Sequence, residues 1–502
     1  MSTTPTPFTS AQQAYLSVLL GETPSLNSYG GKAGGTFDNR VALQTLINDT
    51  SARGGGIVRI PRGVWGLGDY ITVPSNIIIL GFGVASQLQR ISGATLTAGK
   101  GLLTLSGSNI GCDNFLIDGN TLTSASVNYS SLQPLGSGTP DDNTFIQNSS
   151  VVVSPGSSNI EFNRFGVQHT GGYAIFIDVR TASSSDIRIR RGYFKNNRPY
   201  TFTDGSVTGG SWFGGVYVSA SCTISFPYFV SDLSISDSKW SRNSGNCVWS
   251  HSNGFYVNHQ GLRIVNSIFE DCGLDAVEYG NIQGGGVVGC TFRRIGYLST
   301  SDSSSSVPAY VPGKGSVAID TTGFASDIAH ANNTMSSING YGYNLDGMRD
   351  STITGGTISV PLSTDPNYTS DMVSLYGVLI SSVLTQVTKG IETGNTSQNG
   401  GARRIYMSGI SIRNCNEISI SLANAKYCHV SGCPIVSTSV LTPPIVITGQ
   451  SGGTGDELVA YGNMIVRNPI NYNVAAPSIV ESPNPAVGLV HSNIWKDNDL
   501  LA

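Results

Sequence analysis

Glu278 and Asp320, together with Asp275 and His251, are the residues whose types and spacing in this chain suit acid–base chemistry. They fall in or beside short frames that align with one another: residues 174–178 (AIFID), 215–219 (GVYVS), 247–251 (CVWSH), 276–280 (AVEYG) and 316–320 (SVAID). Side chains alternate across a strand, so Ile175, Val216, Val248 and Val277 share an inward side. Phe176, Tyr217, Trp249 and Glu278 then form one outward column. Asp178, Ser219, His251 and Gly280 form a second, where the fifth frame places Asp320. One rung of ~4.8 Å plus two residues of ~6.7 Å separates the Cα atoms of Glu278 and Asp320 by roughly 8 Å. Their carboxyls would then lie ~5 to ~9 Å apart, a range that spans both the retaining and the inverting routes of glycoside hydrolysis.

Either route needs one carboxylic acid to protonate the leaving oxygen and one ionised partner to act as base or nucleophile. Glu278, beside the aromatics and least solvated, is expected to be the acid, Asp320 the base, and His251 a residue that orients either. The competing reading of each is an ordinary surface charge. Asp275, in the turn Gly273-Leu274-Asp275-Ala276, is either a further catalytic carboxylate or a turn residue bonded to backbone N–H groups. Glu270 and Asp271 read as solvated turn residues. Outward Phe176, Tyr217 and Trp249 would be costly unless covered, and stacked sugar rings, a neighbouring subunit or a loop would each cover them. Asp178 and Arg242 join the rings as candidate substrate contacts. A β-elimination would instead draw its base and its uronate partner from Arg242, Arg293, Arg294, His251 and Tyr279.

Only a repeated element can stack such frames. One pattern recurs: a short apolar strand, a polar turn, an aromatic, a second turn and another strand. It reads SNIEFNRFGVQHTGGYAIFID from Ser158, SDLSISDSKWSRNSGNCVWSH from Ser231 and QGLRIVNSIFEDCGLDAVEYG from Gln260, with looser copies to residue 468. Strands this short bury nothing alone, but stacked coils pair each strand with the one above. The slot holding Phe165, Phe194, Trp240, Phe269 and Phe292 is expected to form an inward ladder.

The composition agrees. Charged residues make up 12% of the 502, Gly reaches 62, and 39% hydrophobic residues suffice for a core. Few charges and many small polar residues argue against helical surfaces, and the hydrophobic share argues against disorder. A net charge of −4 offers no footprint for nucleic acid. No segment reaches the ~20 apolar residues that span a bilayer, and the N-terminus has no signal-peptide pattern. The eight Cys show no C-x-x-C spacing and read as buried thiols acting as small hydrophobes, ahead of disulfides or metal ligands.

Residues 29–83 add a second signal. In YGGKAGGTFDNRVALQTLIND, Asp38 is expected to cap a helix carrying Val41, Leu43, Leu46 and Ile47, and Gly54–Gly56 to end the connection before a buried strand. This stretch resembles the N-terminal signature of pectate-lyase-superfamily β-helix proteins, which include bacteriophage tailspikes and capsule depolymerases. The family's Gly-Asp-Gly and Asp-Asp stand here as Ala33-Gly34-Gly35 and Asp38-Asn39. The resemblance implies an all-β, right-handed, single-stranded parallel β-helix (a solenoid) with a short N-terminal capping or entry helix. It also implies action on a bacterial surface polysaccharide, capsular or O-antigen, by a homotrimer on a virion tail or outside the cell, joined to the tail through a partner. It supplies no matched catalytic residue. A polysaccharide lyase and a non-catalytic glycan-binding appendage remain as alternatives. The expected organisation is a cap segment over 1–28, with a short helix over 11–20, a β-helix over 29–475 and a tail over 476–502. Insertions at 198–214 and 298–315 mark a binding face. No cofactor, metal, nucleic acid or membrane insertion is expected.

Overall fold

The computed structural model describes residues 24–94, 96–120, 149–197, 215–220, 228–243, 245–252, 259–272, 275–295, 316–338, 340–345, 347–359, 376–380, 402–415, 418–423, 425–437, 444–448, 462–472, 479–482, 494–496, 498 and 500–501. The expected helix over 11–20 and the insertions 198–214 and 298–315 lie outside them. So does the side chain of His251, whose backbone lies in the strand Val248–Ser252.

Each coil contributes one strand to each of three parallel faces. The first face includes Ser158–Asn163, Ser184–Arg190, Val230–Ser236 and His259–Val265. Tyr193–Lys195, Lys239–Ser241, Ile268–Cys272 and Thr291–Ile295 belong to the second. The third runs through Val151–Val153, Ile175–Asp178, Val216–Ala220 and Val248–Ser252. It continues through the first halves of Val277–Val288 and Ser316–Ala331, then Gly340–Leu345. Strands pair in parallel with their counterparts on neighbouring coils, as in Ile175↔Val216 and Val216↔Val248. The chain is a right-handed parallel β-helix.

Alternation explains each face. In Ser158–Asn163, Ile160 and Phe162 are fully buried while Asn159 and Glu161 point outward. A left-handed backbone residue turns the chain from the first face to the second on successive coils: Arg191, Asp237, Asn266, Gly289, Asn332 and Gly355. Non-glycine residues resist that conformation by roughly 1–2 kcal/mol. Each one here donates its N–H to the coil above, as Asp237 does to the Val265 carbonyl at 3.1 Å and Asn266 to the Val288 carbonyl at 3.0 Å. The residue after it is small, and Ser238, Ser267, Cys290 and Asn333 link side chain to backbone N–H up the corner. This ladder is one source of the low charge and the abundance of Ser and Asn.

Phe194, Trp240, Phe269 and Phe292 stack inside the second face with ring centroids 4.6 to 5.0 Å apart. Phe165 does not belong to that ladder. Val167 pairs with Phe194, and Phe165 sits in the preceding turn, buried against Phe115 and Phe162. At the N-terminal end, helix α1 (Arg40–Ala52) buries Leu43, Leu46, Ile47 and Thr50. Val41 faces solvent, because it lies two residues from Leu43 on the opposite side of the helix. Asn39, not Asp38, occupies the N-cap position. Its amide is buried and ties Lys32, Phe37 and Gly66 together, while Asp38 accepts the N–H groups of Arg40 and Gly68. Gly55 is required where it stands: at φ 105° its Cβ would come 2.4 Å from the Asn76 carbonyl oxygen. At the other end the coils run on past residue 475. Ile479–Ser482 pairs with Ile445–Thr448, and Leu500–Leu501 with the strand starting at Ile470, so the expected tail contains paired strands.

Candidate active site on the third face

Outward positions of the third face carry one unbroken column. Val152, Phe176, Tyr217, Trp249, Glu278, Asp320 and Asn344 pair directly, each with the next. Asp320 therefore lies one rung above Glu278, not in the neighbouring column with Asp178, Ser219 and His251. The sequence frame was offset by two residues. Because the side-chain period is also two, that offset keeps the outward face and is invisible to an alternation pattern.

Three carboxyls meet here. One oxygen from each of Asp275, Glu278 and Asp320 lies within 4.8 Å of the other two. Glu278 and Asp320 are buried, 7% and 5% exposed, whereas Asp275 is partly open to solvent just before its strand. Each carboxylate has an orienting donor. The Asn246 Nδ2 donates to Glu278 Oε2 at 2.6 Å, and the Asn344 Nδ2 to Asp320 Oδ1 at 2.7 Å. The Val317 N–H donates to Asp275 Oδ1 at 2.7 Å. Burial dominates at Asp275 and pushes its carboxyl up to about 7, against the opposing pull of the Val317 N–H. Asp275 thus accepts a backbone N–H of the next coil and also lies beside the other two carboxyls.

Asn246 and Asn344 were not singled out from sequence. Asn344 was within reach, since extending the outward column one coil past Asp320 arrives at it. Asn246 stands just before its strand and leaves no periodic signal. Their amide oxygens are buried and have no hydrogen-bond partner among the described residues.

The aromatic column departs from expectation. Phe176, Tyr217 and Trp249 project away from the core, yet they are only 1%, 8% and 5% exposed. Tyr173, which the frames omitted, stacks on Tyr217 at 4.5 Å, and Trp249 stacks on Tyr217 at 4.4 Å. Two protein rings thus stack on the buried Tyr217, which favours packing over an open sugar platform. The three rings are a packed floor ending at Glu278. Trp249→Ala is accordingly expected to lower unfolding stability by about 3–5 kcal/mol, measured by denaturant titration. A loss below about 1 kcal/mol, within the range of an exposed residue, would show that the ring is not part of the packed array.

The remaining candidates lie away from the cluster. Asp178 pairs with Arg180 two residues on, its Oδ1 2.9 Å from the arginine Nε. Arg242 occupies a left-handed turn at the end of the second-face strand, its N–H bonded to the Glu270 carbonyl. Glu270 and Asp271 are not solvated: both are under 10% exposed. Lys239 and Arg293 hold Glu270, and Arg294 holds Asp271. Burial alone would raise the Glu270 carboxyl, but its two cationic partners outweigh this and bring it down to about 2. Tyr279 points into the core, fully buried, and donates to the Leu262 carbonyl at 3.1 Å.

No protein-family profile and no curated protein sequence matches the chain. Solved structures do. PfbA, a surface adhesin of Streptococcus pneumoniae, is similar over 92% of this chain and 93% of its own, at 13% identity and a TM-score of 0.52. The bacteriophage CBA120 tailspike protein 3 matches over 96% of this chain and 62% of its own, at 11% identity and a TM-score of 0.48. The Azotobacter vinelandii mannuronan C-5 epimerase AlgE6 A-module matches over 96% of this chain and all of its own, at 12% identity and a TM-score of 0.43. At such identities the likeness is one of fold, and it agrees with a right-handed β-helix of the kind the N-terminal signature resembles.

Proposed function

We propose that this protein is a tailspike-type polysaccharide depolymerase that hydrolyses glycosidic bonds of a bacterial capsular or O-antigen polysaccharide, as a homotrimer on a virion tail or outside the cell. The observation that carries this reading is the convergence of Asp275, Glu278 and Asp320 within 4.8 Å on one face. Like charges that close do not all ionise cheaply, so one carboxyl keeps its proton near neutrality. The raised Asp275 carboxyl is the one this reading casts as the acid, in place of Glu278. Its Oδ1 is taken by the Val317 N–H, leaving Oδ2 to carry the proton to the leaving oxygen. Asp320, held by Asn344, attacks the anomeric carbon. Glu278, held by Asn246, stabilises the positive charge that develops on the sugar. The short spacing favours the retaining route, whose carboxyls sit about 5–5.5 Å apart, over the inverting one at about 6.5–9.5 Å.

Elimination draws less support. Tyr279 is inside the core, and Arg293 and Arg294 are engaged with Glu270 and Asp271. A non-catalytic glycan-binding β-helix has one observation in its favour: Glu278 and Asp320 are both deeply buried and tied to an asparagine, as a structural network would be.

Incubation with a panel of capsular and O-antigen polysaccharides tests the reading. Reducing ends should appear without unsaturated-uronate absorbance. Absorbance would indicate a lyase, and binding without cleavage the appendage. Three oxygens this close would also suit a hard divalent cation, whose ligands stand about 2.3–2.6 Å away. Dialysis against EDTA is expected to leave cleavage and thermal midpoint unchanged, and a loss restored by calcium would reassign the cluster.

A further inference from the structure

Burial of the described cysteines fits small hydrophobes, but one pair stands closer than packing accounts for. Cys247 and Cys272 are fully buried, and their sulfurs lie 2.7 Å apart. Non-bonded heavy atoms pack best at about 3.5–4.0 Å, and sulfur is larger than carbon. A disulfide closes the gap to about 2.05 Å. The two residues belong to consecutive coils: Cys247 immediately precedes the strand Val248–Ser252, and Cys272 ends Ile268–Cys272. The Cys247 N–H donates to the Asp275 carbonyl at 3.2 Å, so the coils are already in register at this corner.

We propose that Cys247 and Cys272 form a disulfide, a covalent staple between consecutive coils at the corner that carries Asn246 and Asp275. The oxidant is a small-molecule disulfide such as oxidised glutathione. One cysteine thiolate attacks it and releases one glutathione thiolate, leaving a mixed disulfide. The second cysteine thiolate attacks the protein-bound sulfur, forms the Cys247–Cys272 bond and releases the second glutathione. Two electrons pass from the protein to the oxidant, and the two cysteine protons end on two glutathione thiols. Burial raises the Cys272 thiol well above its usual range. The exchange is therefore slow in the closed corner and fast when the corner opens, and the finished bond is shielded from reductant. The staple does not depend on the proposed activity.

The test uses the full chain with oxidised glutathione, at a denaturant concentration just below the unfolding midpoint so that the corner opens. Quenched protein is unfolded, alkylated and mapped by mass spectrometry. Of the eight cysteines, six are expected to take the label. Fragmentation should link Cys247 to Cys272 and leave Cys290 alkylated, and dithiothreitol should return all eight. In Cys247→Ser the link should be absent, with Cys272 left as the glutathione mixed disulfide or alkylated. In the parent protein, eight labelled thiols after oxidation, glutathione persisting on either cysteine, or a link between other positions would each overturn the proposal.

Discussion

Replacing Asp320 with Asn, or Glu278 with Gln, is expected to slow polysaccharide cleavage by about 10²–10⁴-fold while leaving the thermal midpoint close to that of the parent protein. Both replacements keep the shape and remove the charge. The Asn344 amide still finds an oxygen at position 320, and the Asn246 amide one at position 278, so the column stays packed. Each carboxylate has a distinct task in the retaining route, and neither stands in for the other. Kinetics on a soluble oligosaccharide beside a melting curve would check this. A variant that melts early as well as losing activity would place these carboxylates in the scaffold. One that stays active would move the chemistry elsewhere.

The second large effect concerns pH. An aspartate in an unfolded chain ionises near 3.9, whereas folded Asp275 holds its proton up to about 7. Between those values the folded protein binds a proton that the unfolded chain has lost. Stability therefore falls as pH rises from about 4 and levels off above about 7. Asp275→Asn removes that loss. The variant should match the parent below pH ~4 and exceed it above pH ~7 by on the order of 2 kcal/mol, after allowing for screening of a partly exposed group. Its catalysis should be low at every pH, while that of the parent falls about tenfold per unit above neutrality as the acid ionises. Equal stability of the two proteins at pH 8 would mean that the fold does not raise the Asp275 carboxyl, which would then ionise well below neutrality, and the acid would have to be sought again.

The fold was largely legible because its signal repeats. Phe194, Trp240, Phe269 and Phe292 mark one slot on four successive coils and stack there. The site was legible in part. Glu278 and Asp320 were found on the correct face, but in adjacent columns, because a two-residue shift conserves alternation and only backbone pairing resolves it. Asp275 and Asn246 precede their strands, where no period applies, and their roles emerge from contacts across coils. Tyr217 looked like an exposed platform because alternation reports direction and not cover. The rings of Tyr173 and Trp249 stacked on it favour packing.

Proton NMR of the first products released from a cleaved polysaccharide tests the central claim most directly. A saturated sugar with a new reducing end in the same anomeric configuration as the bond that was broken is the predicted result. An inverted anomer would contradict the assignment of Asp320 as nucleophile, and a vinyl proton from an unsaturated uronate would contradict hydrolysis itself.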